Sequence, residues 1–187
     1  MIDSAAGRPF WKMSGSGNDF VFFDARRDAP GTLDTRDRIA ALCARGTGIG
    51  ADGVVFLEHA PGVDFGIRYY NSDGTLASLC GNASLCSIRL AAELGIGAGG
   101  DVRFLTGAGM LSGRMGERQP EIDLPPLREV LVTVGIAPEP GERRIGFAVA
   151  GVPHLVVLVP DVQGVDVVGR GSVLRHHPSL AEGANVN

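Results

Sequence analysis

Cys80 stands in the run Leu79-Cys80-Gly81-Asn82-Ala83-Ser84, just ahead of a segment whose pattern predicts a helix over 83–94. A thiol at a helix start meets the positive end of the macrodipole, which favours the thiolate. The N–H groups of Gly81 and Asn82 would point at any anion beside the sulfur, and Gly81 lets a ligand approach the backbone closely. The segment offers a thiol base or nucleophile next to a carboxylate cradle. A buried structural cysteine beside a capping asparagine fits the same residue types. His154 follows Gly151-Val152-Pro153 and precedes an apolar run. An imidazole there can stabilise a neighbouring thiolate or be a structural residue at a strand edge. Cys86 lies about 240° further round the helix from Cys80, and Cys43 ends an earlier helical turn; both are expected in the core. His176 and His177 lack metal-ligand spacing and read as surface residues.

Two glycine runs look at first like phosphate loops. Gly15-Ser16-Gly17-Asn18-Asp19-Phe20 has no third glycine at the dinucleotide spacing and no following Gly-Lys-Ser/Thr. It reads instead as a turn that places the Asn18 amide. Gly46 to Gly53 precedes a strand, the reverse of the strand–loop–helix order that a dinucleotide site needs. The nucleotide reading fails for both.

The elements that must position these residues are short. Strands are predicted at Phe20 to Asp24, Asp52 to Glu58, near 103–106 and near 110–114; helices at Thr35 to Ala44 and 83–94. Val63, Phe65, Ile67 and Tyr69 alternate with polar neighbours as a half-buried strand, and Asn71-Ser72-Asp73-Gly74 supplies a hairpin turn. The stretch EIDLPPLREV reads as a linker. Two apolar runs flanking Gly151-Val152-Pro153-His154 and one further helix follow. The chain has 187 residues, 17 Lys+Arg against 21 Asp+Glu, and no basic run, which argues against nucleic-acid partners. No apolar stretch suggests a membrane span, and no signal peptide is visible. Three cysteines suit a reducing compartment, so a cytoplasmic location is expected.

Four motifs in one order, Lys12-Met13-Ser14-Gly15-Ser16-Gly17-Asn18-Asp19-Phe20, Arg45 to Gly53, Tyr70-Asn71-Ser72-Asp73-Gly74 and Cys80-Gly81-Asn82-Ala83, closely resemble the amino-terminal part of the diaminopimelate epimerases. Gly151-Val152-Pro153-His154 and Glu182-Gly183-Ala184-Asn185-Val186-Asn187 extend the resemblance into that family's second domain. The resemblance implies an α/β fold of the α+β type, with β-structure around a central helix in each of two similar domains. Residues 1–125 would form the first domain and 126–187 an incomplete second one.

It also implies cofactor-independent inversion of an amino-acid α-carbon by two cysteines, here the interconversion of LL- and meso-diaminopimelate. Cys80 would be one thiol acid/base, with His154 tuning its protonation. Gly81 and Asn82 would hold the α-carboxylate, and Asn18, Asn71 and Asn185 would contact the substrate. Asp19, Asp52 and Asp73 have no such counterpart and read as turn or structural residues. Val152 stands where known members carry an asparagine, and Gly53 where some carry a glutamine. The family's second Cys-Gly-Thr/Ser-Gly motif and its Glu-Arg stretch are missing from these 187 residues, so the chain alone is expected to be inactive. The expected partners are an amino-acid substrate and, for the full-length form, a second copy in a homodimer, with no nucleic acid, membrane or metal. A racemase of another amino acid and a non-catalytic ligand-binding relative remain alternatives; a Cys–His hydrolase is weaker, because no orienting Asn or Asp can be assigned.

Overall fold

The protein's structure, a computed structural model, describes residues 7–181 and 183–187, with the side chains of 98 and 99 left aside. Glu182, which opens the last motif, lies outside the described residues. The chain divides into two compact units, Met1–Asp123 and Leu124–Asn187.

The first unit is built on β1 (Trp11–Gly15), β2 (Asn18–Asp24), α1 (Arg36–Cys43), β3 (Gly53–Glu58), β4 (Phe65–Asn71), β5 (Leu76–Ala77), α2 (Gly81–Glu93), β6 (Val102–Thr106), β7 (Gly109–Met115) and β8 (Pro120–Asp123). The strands form one sheet in the order β1-β2-β3-β4-β6-β7-β8, with β5 pairing on β4. The β2–β3 and β4–β6 pairs are parallel and the others antiparallel. Unbroken apolar runs in β2 and β3 mean burial on both faces. Phe20, Phe22, Val55 and Leu57 turn to one side, where they meet Ala83, Ile88, Leu90 and Ala91 of α2. Val21, Phe23, Val54 and Phe56 turn to the other, against Ile39 and Cys43 of α1. Helix α2 packs on β1, β4, β7 and β8. The β-structure around a central helix is therefore present in this unit. Phe65 and Phe104, partners across β4 and β6, stack at 5.1 Å between ring centroids.

The glycine runs are structural, as their sequence order indicates. Ser16 and Gly17 both have positive φ, 50° and 90°, the form of a two-residue hairpin turn that matches strand twist. That turn pairs Gly15 with Asn18. The second run folds back on the end of α1: the N–H groups of Gly48, Gly50 and Ala51 donate to the carbonyls of Ala44, Leu42 and Cys43 at 2.9, 3.0 and 3.1 Å. A Cβ on Gly48 would stand 2.1 Å from the Ala41 carbonyl oxygen, so no other residue fits.

The second unit holds β9 (Arg128–Leu131), β10 (Arg144–Ala150), β11 (Val152–Leu158), α3 (Val167–Arg175) and β12 (Asn185–Val186), with its sheet in the order β12-β11-β10-β9. Leu174 of α3 is buried with Ile136, Ile145, Leu155 and Ala184. The stretch expected as a linker is mostly strand. Its first residues pair with β7 and its last with β10, which leaves 124–127 between them. Thr35 caps α1 only by its backbone, while the preceding Asp34 binds Arg68 and Tyr70. Among the described residues no helix is long and apolar enough to cross a membrane, and no cluster of three His, Cys, Asp or Glu is gathered for a metal.

Candidate active site

Cys80 is the N-cap residue of α2, in extended conformation at φ −137° and ψ 114°. The helix thus begins at Gly81, two residues before the start expected from the sequence. The first intrahelical bond runs from the Ser84 N–H to the Cys80 carbonyl at 2.9 Å. The Gly81 and Asn82 N–H groups precede that ladder and face ahead of the helix. A Cβ on Gly81 would meet nothing within 4 Å, so a ligand can approach the backbone there closely. Cys80 is half-buried, whereas Cys43 and Cys86 are buried. Burial pushes both of those thiols up from the ordinary cysteine value. Cys86 lies under the β1–β2 hairpin, where a Cβ on Gly15 would be 2.9 Å from its sulfur.

A chain of side-chain amides runs from the helix start into the sheet edge. Asn82 Nδ2 donates to Asn18 Oδ1 at 2.8 Å, and Asn18 Nδ2 donates to Asp52 Oδ2 at 3.0 Å. A carboxylate only accepts, so Asp52 dictates the direction of both bonds. Asn82 is left offering its carbonyl oxygen to a ligand. The same Asp52 oxygen accepts the Asp19 N–H at 3.1 Å. Arg45 bridges the two acids, 2.7 Å from Asp19 Oδ1 and 2.9 Å from Asp52 Oδ1, and Lys12 stands 2.9 Å from Asp19. The Arg45 hydrogen bond, then that of Lys12, holds the Asp19 carboxyl well below the usual range. Asp52 is lowered chiefly by the Asn18 amide.

Asn71 ends β4 opposite Gly53, and its Nδ2 donates to Thr75 Oγ1 at 3.1 Å. Asn18 opens β2, Gly53 opens β3 and Asn71 closes the antiparallel β4, so all three share one sheet edge. The Asn82–Asn18 bond ties the start of α2 to that edge. Five of the seven residues expected from the sequence, Asn18, Asn71, Cys80, Gly81 and Asn82, therefore gather there.

His154 and Asn185 belong to the second unit, where they are register partners on the parallel strands β11 and β12. Asn187 Nδ2 lies 3.0 Å from His154 Nδ1. An amide nitrogen only donates, so Nδ1 accepts and the neutral ring carries its proton on Nε2. Arg175 Nη1 donates to Asn185 Oδ1 at 3.1 Å. Val152, also on β11, pairs with Ala150 and is half-buried.

The sequence reading missed Tyr69 and the polar cluster of Lys12, Asp19, Arg45 and Asp52. Tyr69 is buried on β4, Cys80 packs against the hydrophobic cluster that contains it, and burial raises the phenol above its ordinary value. The available signal was a tyrosine on the apolar face of an alternating strand, whose hydroxyl must find a partner there.

Comparison with known proteins bears on the family and the fold. The family description "Diaminopimelate epimerase" matches residues 10–123. A diaminopimelate epimerase from Gemmatimonas aurantiaca is 48% identical over 95% of this chain and 65% of its own length. One from Aquifex aeolicus is 39% identical over 95% of this chain and 67% of its own. The chain thus spans about two thirds of the length of these relatives. A solved phenazine biosynthesis protein of the PhzF family from Enterococcus faecalis shares the fold, with a TM-score of 0.60 at 14% identity, over 96% of this chain and 66% of that one.

Proposed function

The chain belongs to the diaminopimelate epimerase family, and from that premise we propose that it carries one half of a two-base epimerisation of LL- and meso-diaminopimelate, in the synthesis of lysine and cell-wall precursors. The observation that carries this reading is the half-buried Cys80 thiol capping α2 beside the first N–H groups of that helix, with open space at Gly81. As thiolate, Cys80 takes the α-proton and becomes a thiol, and the electron pair left on the α-carbon spreads into the carboxylate. The Gly81 and Asn82 N–H groups meet that growing charge without reorganising. The Asn82 carbonyl oxygen, fixed by Asn18 and Asp52, accepts from the substrate ammonium group. Asn71 holds the substrate at the same edge.

Inversion needs a second thiol that delivers a proton to the opposite face. The other thiols of these 187 residues, Cys43 and Cys86, are buried, so that base is supplied from outside this stretch of chain. The thiols work without a cofactor. The setting is cytoplasmic, and the full-length form is a homodimer.

Substrate protection tests the site. Diaminopimelate should slow alkylation of Cys80 by iodoacetamide, read by peptide mass spectrometry, whereas a dicarboxylate without amino groups should not. Equal protection by both compounds, or by neither, would refute the reading.

A further inference from the structure

The turn that follows β4 carries a second side-chain relay, and it too ends in a carboxylate. Asn71 Nδ2 donates to Thr75 Oγ1 at 3.1 Å, and the Thr75 hydroxyl donates to Asp73 Oδ1 at 2.6 Å. The Thr75 N–H donates to the same Asp73 oxygen at 2.9 Å. These bonds, the hydroxyl first, hold the Asp73 carboxyl below its usual range, so it is ionised and only accepts. A hydroxyl has one hydrogen, and Asp73 takes it. Thr75 Oγ1 therefore meets Asn71 as an acceptor. That turns the Asn71 amide nitrogen toward Thr75 and leaves its carbonyl oxygen for a ligand.

The turn is held in place from two sides. The Asn71 N–H donates to the Thr75 carbonyl and the Gly74 N–H to the Asn71 carbonyl, both at 2.9 Å. The first residue of α1 braces it from outside. Arg36 Nε donates to the Asp73 carbonyl oxygen at 3.2 Å, and a Cβ on Gly74 would stand 2.3 Å from the Arg36 carbonyl oxygen.

We propose that Asp73 and Thr75 are positioning residues of this site: they turn the Asn71 carbonyl oxygen to accept from a substrate ammonium group. The proposal rests on the reading of Asn71 as a substrate contact. The Asp52–Asn18–Asn82 chain works in the same way from the helix start, since it also ends in a carboxylate and leaves a carbonyl oxygen. Two fixed acceptors at one sheet edge select a ligand that brings N–H donors, and a diamino acid brings two ammonium groups.

The test is protection of Cys80 from iodoacetamide by diaminopimelate in the 187-residue chain. Thr75→Val keeps the shape and removes the hydroxyl, so the concentration that halves the labelling rate should rise about five- to tenfold. Thr75→Ser restores the hydroxyl and should stay within about twofold of wild type. Asp73→Asn replaces the carboxylate by a group that donates as well as accepts, so the relay loses its direction and protection should weaken as in Thr75→Val; this variant carries the test where Thr75→Val does not fold. The Asn71 side-chain amide signals in NMR should move in Thr75→Val and return in Thr75→Ser. Protection as strong in a folded Thr75→Val or Asp73→Asn protein as in wild type overturns the proposal. So does a Thr75→Ser protein as weak as Thr75→Val, or an Asn71 amide that Thr75→Val leaves unmoved. Wild-type Cys80 left unprotected by diaminopimelate would instead overturn the reading of the site on which the proposal rests.

Discussion

Replacing Asp52 by alanine removes the acceptor that orients the amide relay. Three interactions go: Asn18 Nδ2 at 3.0 Å, the Asp19 N–H at 3.1 Å and Arg45 at 2.9 Å. The Arg45 contact is worth little, because its side chain is 62% exposed and water replaces the carboxylate. The other two are hydrogen bonds to a charge, each about 1.5–3 kcal/mol when fully buried. Asp52 is itself 37% exposed, so their sum is discounted to about 1–2 kcal/mol of folding stability. The larger effect is on the site. Without the carboxylate, Asn18 can turn its amide, and Asn82 no longer has one preferred orientation. Asp52→Asn keeps a carbonyl acceptor in place and should lose less than half as much. Urea unfolding gives the stability, and NMR of the Asn18 and Asn82 side-chain amides gives the orientation. Stability within a few tenths of a kcal/mol of wild type, with unchanged Asn82 amide signals, would refute the relay.

Further outcomes follow from the same contacts. Gly48→Ala should cost about 3 kcal/mol in urea unfolding, because the new Cβ meets backbone carbonyls that cannot move aside. Leu174→Ala should cost about 2–5 kcal/mol and strip hydrogen-exchange protection from β11 while leaving β2 and β3 protected. Folding lowers the Asp19, Asp24, Asp52 and Asp73 carboxyls below their model-peptide value of 3.8. Their stabilisation is therefore full above about pH 4 and is lost as pH falls through the lower folded values. Asp19→Asn should flatten the stability curve below pH 4; an unchanged acid slope would contradict the Arg45–Asp19 assignment. Val152→Asn, in a chain that includes the second base, should favour diaminopimelate over shorter amino acids by about 1–3 kcal/mol in calorimetry.

What the sequence made legible was local. The start of α2 with its thiol and two N–H donors is one contiguous segment, and the alternation of Phe65, Ile67 and Tyr69 is a period-two signal that one strand carries alone. The β1 strand left no comparable mark, because Trp11 to Gly15 is half-buried at best and gains its register from the Ser16-Gly17 turn. The two-residue β12 exists only because β11 offers it an edge. Pro125 and Pro126 drew attention to a linker and hid strands on either side, Pro120–Asp123 and Arg128–Leu131. The amide relay joins residues 34 and 64 positions apart. Each is an ordinary polar residue on its own, so only the folded sheet edge reveals Asp52 as the anchor of the relay.

The most direct test is deuterium uptake at the α-carbon of LL-diaminopimelate incubated with the chain in deuterium oxide, followed by proton NMR and chiral chromatography. One thiol returns a proton only to the face it took it from. The 187-residue chain should therefore exchange the α-hydrogen slowly with retained configuration, and Cys80→Ser should abolish that exchange. Exchange that survives Cys80→Ser would contradict Cys80 as the base, and meso product at an enzyme-like rate would show a second base within these residues.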